Sequence, residues 1–163
     1  MLEDLGNLGD FIGGIAVVVT LLYLAVQVRQ NTLQLRRAAE IAALEARDIT
    51  FRSFSQFRSQ LIADPGVAEV YLKGIRDAGV LSDVERLRFT LLAQELFYII
   101  ETATKRVDAV RPGNVQQTLD ELNVGVILKQ PGIRNWWTAN KGTFQPEFIA
   151  LIDDQMLRET ASA

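Results

Sequence analysis

The pattern of apolar and polar positions opens with a run that has no polar face. From Phe11 to Val28 no side chain is charged, and Ile15, Val17, Val18, Val19, Leu21, Leu22, Leu24 and Val26 surround a helix on every side. Eighteen residues at about 1.5 Å each rise about 27 Å, close to the hydrocarbon thickness of a bilayer. A helix apolar all round lies either in lipid or at the centre of a large protein. About 130 remaining residues are too few to wrap it well. The pattern predicts a transmembrane helix over 11–28, behind a short acidic segment over 1–10.

Beyond Val28 the period stays helical but acquires two faces. Residues 29–63 contain neither Gly nor Pro. Leu33, Leu35, Ala39, Ala42, Ile49, Phe54, Phe57 and Leu61 recur on one broad face, while Arg36, Arg37, Glu40, Glu45 and Arg47 alternate in sign elsewhere. This reads as an amphipathic stalk helix continuing the apolar run, with Asn31-Thr32 as a point where it could break. Asp64-Pro65-Gly66 stops it. A short helix is predicted over about 67–77. Ser82 with Glu85 three residues on forms a capping box, and Leu81 precedes the cap as a hydrophobic staple. That helix should run to about Val110, before Pro112-Gly113. Further helices are predicted over about 114–129, through "IRNWWTANK" as far as Gly142, and from Pro146, which suits a first-turn position. No stretch alternates as a strand would. The fold class read from the sequence is all-α: an N-terminal transmembrane helix continuing into a long amphipathic helix, packed with four to five shorter helices. Residues 29–163 form its cytosolic helical domain.

The flanks set a direction. Glu3, Asp4 and Asp10 precede the apolar run, and Arg29, Arg36 and Arg37 follow it. Basic residues favour the cytoplasmic side, so the N-terminus is expected outside and the bulk of the chain inside. A cleaved signal peptide needs the opposite polarity. Gly9 and Gly13 make one GxxxG spacing, which lets two helices approach closely in lipid. Helix association through these two glycines is expected to give a homo-oligomer or a place in a membrane protein complex. One alternative keeps the run out of lipid altogether: several chains could bury Phe11 to Val28 at the centre of a soluble oligomer.

Composition narrows the chemistry. The 163 residues are 48% apolar, which fits a folded chain, and carry a net charge of −3. Nucleic-acid binding needs a basic footprint that this charge does not provide, so no nucleic-acid partner is expected. The chain has no Cys and no His. Disulfides, thiolate nucleophiles, His-based nucleophile pairs and His- or Cys-ligated zinc are thereby excluded. No Asp-rich loop has calcium-binding spacing. No catalytic residue, metal or cofactor is expected, and the chain does not read as an enzyme.

Three groups of residues carry the remaining possibilities. Arg134, Trp136, Trp137, Phe144, Glu147 and Phe148 form the richest polar-aromatic cluster. Trp and Arg are enriched at binding hot spots, so Arg134, Trp136, Trp137 and Glu147 are candidate contacts for a partner or a small anionic ligand. The competing account makes the tryptophans core anchors and pairs Arg134 with Glu147 or another carboxylate. Glu95 and Glu101 share an apolar run, but a spacing of six puts them about 120° apart on the helix, poor geometry for an acid/base pair. A salt bridge to an Arg is the ordinary account of each. Phe51, Phe54 and Phe57 stand among Arg47, Arg52 and Arg58. The bland reading packs them onto the C-terminal helices, and the sharper one sets them against anionic lipid or a partner helix.

Three segments together have a familiar cast: "IAVVVTLLYLAVQVRQNTLQLR", "LSDVERLRF" and "PGIRNWWTANKGTFQPEFIALID". The chain resembles a group of uncharacterised bacterial proteins, small, with an N-terminal membrane helix and a helical domain of unknown function. The resemblance covers most of the chain, and its end motif is the most specific part. It implies the architecture above and a place in the bacterial inner membrane, and it brings no catalytic residue or cofactor. The functional expectation is a membrane-anchored structural or interaction protein that self-associates or serves as an accessory subunit of a membrane complex. The alternative is a membrane-anchored module binding a small ligand or lipid through Arg134, Trp136 and Trp137.

Overall fold

A computed structural model describes the backbone over residues 2–110 and 112–161 and the side chains over 13–110 and 112–161. Among the described residues seven α-helices follow one another: α1 (Leu2–Ala63), α2 (Pro65–Arg76), α3 (Asp83–Val110), α4 (Val115–Glu121), α5 (Val124–Leu128), α6 (Pro131–Asn140) and α7 (Pro146–Ala161). Short 3-10 turns at Ala78–Val80 and Lys141–Thr143 join α2 to α3 and α6 to α7. Among the described residues there is no strand, and the all-α class with its long N-terminal helix stands. The chain divides into two units, Met1–Ala42 and Ala43–Ala163.

The first unit is the front of α1. From Gly13 to Val28 every side chain is exposed. The helix is long and apolar enough to cross a membrane, and none of its most apolar stretch is buried within the chain. Its polar groups are satisfied locally: the Thr20 hydroxyl donates to the Ala16 carbonyl at 2.8 Å. Leu33, Leu35 and Ile41 are exposed as well. No break occurs at Asn31-Thr32. The Thr32 hydroxyl turns back to the Val28 carbonyl at 2.9 Å instead of capping a new helix.

The second unit holds the core. Asp64 ends α1 and caps α2, accepting from the Gly66 and Val67 amides, with Pro65 in the first turn, where its missing N–H costs nothing. Ser82 and Glu85 form the expected capping box: the Ser82 amide and hydroxyl both donate to Glu85 Oε2, at 2.9 and 2.7 Å. Leu81, just ahead of the cap, is buried. Two glycines let α2 and α6 cross in close contact. A Cβ on Gly132 would collide with the Gly74 carbonyl, and one on Gly74 would collide with the Phe89 ring.

Around that crossing Phe89, Phe97, Ile100, Leu119, Leu128, Ile133, Trp137 and Ile152 are fully buried. The helix expected over 114–129 is two helices. Asn123 adopts a left-handed conformation with φ 54° and separates α4 from α5. Asn tolerates that conformation far better than a β-branched residue does. Arg134 then links the end of α5 to the last turns of α7.

Candidate functional site

The residues of α1 from Ala43 onward present one stripe with its own chemistry. Arg47, Phe51, Phe54 and Arg58 stand at i, i+4, i+7 and i+11, which places all four on one helix face. Opposite them, α3 ends at Val110, and the chain reverses through Gly113, whose φ of 88° favours glycine. The reversal starts α4 and brings Asn114, Gln117, Thr118, Glu121, Leu122 and Asn123 alongside. Together with Ala43, Ala46, Thr50 and Val107 these residues enclose a cleft of about 410 Å³. That volume is within the range of small-molecule sites.

The cleft is amphipathic. Ala46, Phe54, Val107, Val110 and Leu122 supply apolar wall. Phe51 is 64% exposed, and the Arg58 guanidinium lies 5.7 Å from its ring centroid, a cation–π distance. Among the described residues Arg47 has no carboxylate partner, while its neighbour Asp48 is occupied by Arg52. Among the described residues Glu121 is the one acidic residue on the lining, and it accepts a hydrogen bond from Gln117 Nε2 at 3.0 Å. Neither Asn114 nor Asn123 uses its side chain to cap the helix that follows it. Phe57 faces the other way. It is buried at 4% exposure and meets Tyr71 edge-on at 5.9 Å. The three phenylalanines of the stalk thus divide: Phe57 enters the core, Phe54 is half-buried, and Phe51 stays in solvent.

Comparison of the chain with protein-family models, with curated proteins and with solved structures finds no match. The functional reading therefore rests on the residues.

The C-terminal cluster is committed internally. Phe97 stacks on Trp137 at 4.6 Å and on Trp136 at 5.5 Å, and Phe148 meets Trp137 edge-on at 5.8 Å. Trp137 Nε1 donates to Asp153 at 2.9 Å, and Lys141 closes on the other oxygen of the same carboxylate at 2.6 Å. Burial disfavours the charge on Asp153. The Lys141 and Trp137 hydrogen bonds and the Lys141 charge outweigh it, holding the carboxyl below its ordinary value. Trp136 Nε1 is buried without a hydrogen-bond partner among the described residues.

Arg134 does not pair with Glu147. Its Nε donates to the Leu128 carbonyl at 2.7 Å, and its Nη2 donates to the Met156 carbonyl at 3.2 Å and to the Thr160 hydroxyl at 3.0 Å. The reason is axial position. Glu147 lies exposed in the first turn of α7, about 14 Å along the helix from Met156 at 1.5 Å per residue. The guanidinium therefore serves the orphan carbonyl at the end of α5 and the last turns of α7.

Glu101 is buried and takes Lys105 at 2.9 Å and the Gln145 amide at 3.2 Å, so its partners are a Lys and a backbone N–H where an Arg was expected. Glu95 is exposed and lines a smaller hollow of about 200 Å³ with Tyr98 and Arg106. Among the described residues no acidic cluster converges as a metal site requires. Gly9 lies outside the residues whose side chains are described. Among the described residues nothing lies within 4 Å of a Cβ built on Gly13.

Proposed function

We propose that the chain is a membrane-anchored structural or interaction protein, held by α1 in the bacterial inner membrane with its N-terminus outside. In this reading it self-associates or serves as an accessory subunit of a membrane complex. One observation supports it above the others: Ile15, Val17, Val18, Val19, Leu21, Leu22, Leu24, Val26 and Val28 are all exposed, on every side of the helix. Water is a costly neighbour for such a surface. Nine Leu, Ile or Val side chains favour lipid by roughly 3–5 kcal/mol on an insertion scale of about 0.3–0.6 each. A second reading, the ligand-binding module built on Arg134 and the tryptophans, draws less support: Arg134 and Trp137 already donate to internal acceptors, and only the buried Trp136 N–H lacks one among the described residues.

Two measurements test the proposal. After an alkaline carbonate wash of host membranes, the chain should remain in the pellet, and release of the intact chain into the supernatant defeats the anchor. Native mass spectrometry in mild detergent should then give an integer multiple of the chain mass or a stoichiometric complex with another protein. A bare monomer under all detergent conditions speaks against assembly. Gly13→Leu sharpens the second test. Among the described residues a Cβ at this position meets nothing within 4 Å, so the substitution should leave the monomer intact and weaken assembly if the glycine face is the contact.

A further inference from the structure

We propose that the cleft between residues 43–58 of α1 and the α3–α4 corner binds an elongated amphipathic anion, an aliphatic chain ending in one carboxylate or phosphate head. The shape argues for length. Fifteen helical steps from Ala43 to Arg58 make a wall about 22 Å long at 1.5 Å per residue, over a cleft of about 410 Å³. The wall chemistry argues for an aliphatic body. Phe51 and Phe54 on one side face Val107, Val110 and Leu122 on the other. Phe51, at 64% exposure, gains most from being covered.

Charge argues for an anionic head. Arg47 and Arg58 both line the cleft, no carboxylate pairs with either among the described residues, and the Glu121 carboxylate, which accepts from Gln117, offsets only one of the two positive charges. In a chain of net charge −3 this is a local excess of positive charge against an apolar wall. Guanidinium is the group best suited to hold a carboxylate or phosphate by two parallel hydrogen bonds. Arg47 and Arg58 stand about 16 Å apart along the helix, at either end of the phenylalanines, so one head meets one of them while its chain lies over the rings. The site does not depend on the membrane anchor, since every residue it uses belongs to the unit Ala43–Ala163.

The two sources of this chemistry are a free fatty acid and an anionic phospholipid. The full chain, mixed with phosphatidylcholine vesicles, is exposed to one of three probes bearing the same diazirine-tagged acyl chain: a fatty acid, a phosphatidic acid and a fatty alcohol. After irradiation the labelled peptides are mapped by mass spectrometry in both the vesicle and the soluble fraction. Labelling of peptides spanning 43–58 and 107–123 by an anionic probe, and not by the alcohol, is the expected result. The probe that labels identifies the source. In Arg47→Gln/Arg58→Gln the labelling should fall tenfold or more, because charge-assisted bonds are lost. In Ala43→Phe, which narrows one end, it should fall with both arginines present.

Circular dichroism confirms that each variant is folded. If one is not, the other and the alcohol comparison still decide. An unlabelled cleft, equal labelling by the alcohol, or undiminished labelling in both folded variants overturns the proposal. Labelling over 11–28 reports on the anchor separately, so the two readings fail independently.

Discussion

At the scale of single residues, the two tryptophans are adjacent in sequence and unlike in circumstance. Trp137 donates to Asp153, whereas the Trp136 N–H is buried without a partner among the described residues. Removing a paired donor leaves its acceptor short, and removing an unpaired one does not. Trp137→Phe should therefore destabilise the fold by about 1 kcal/mol more than Trp136→Phe, as read from urea unfolding. The acceptor has its own signature. Asp153 is more acidic in the folded chain than in the unfolded one, whose carboxyl titrates near about 3.9. As pH falls, the unfolded chain takes up this proton first. The stabilisation is complete above about pH 5 and is lost as pH drops through the folded value. Asp153→Asn should be less stable than the parent at neutral pH, with the gap closing below about pH 4. A gap that stays constant from neutral pH to pH 2.5 would rule out this linkage.

At the scale of elements, the helix ends were legible because their signals are local. Asp64-Pro65 and the Ser82–Glu85 box each satisfy orphan amides with side chains three or fewer residues away. The break at Asn123 was not legible in the same way. It has neither Pro nor an adjacent Gly, and its left-handed conformation is set by how α4 and α5 pack. The α2–α6 crossing was equally hidden. Gly74 and Gly132 lie 58 positions apart, and nothing local says that they touch. Gly132→Ala should cost about 3 kcal/mol, at the upper end for overpacking, because the obstruction is a backbone carbonyl that cannot rotate away. Thermal unfolding measures it, and a loss below about 0.5 kcal/mol would mean that the two helices part easily.

The candidate cleft was half legible. Arg47, Phe51, Phe54 and Arg58 are spaced as one stripe in the sequence. The wall from Val107 to Asn123 arrives through a chain reversal at Gly113, and no periodicity announces it. The division of Phe51, Phe54 and Phe57 between solvent and core was invisible for the same reason. A three-residue interval turns each ring by about 60° from the last, and which ring meets the core depends on where the other helices lie.

At the scale of the whole molecule, the exposed apolar front of α1 is the largest unbalanced feature. A charge placed in it should act as a switch on partition. Leu22→Arg costs about 2.5–3.5 kcal/mol near the centre of a bilayer, most of what the other side chains contribute. It should move the chain from the carbonate-resistant pellet toward the soluble fraction, while far-ultraviolet circular dichroism stays helical. An unchanged pellet fraction would place this stretch somewhere other than the hydrocarbon core.

Both tryptophans of the chain lie in the single aromatic cluster around Phe97, and the segment 11–28 contains none. Tyr23 lies in that segment, so indole emission excited away from tyrosine absorption is the signal of that core alone. Partition of α1 should leave the indole emission unshifted, and a red shift on heating or in urea should mark loss of the Phe97 stack. The protein carries its own optical reporter, and the indoles that supply it lie outside the apolar segment 11–28.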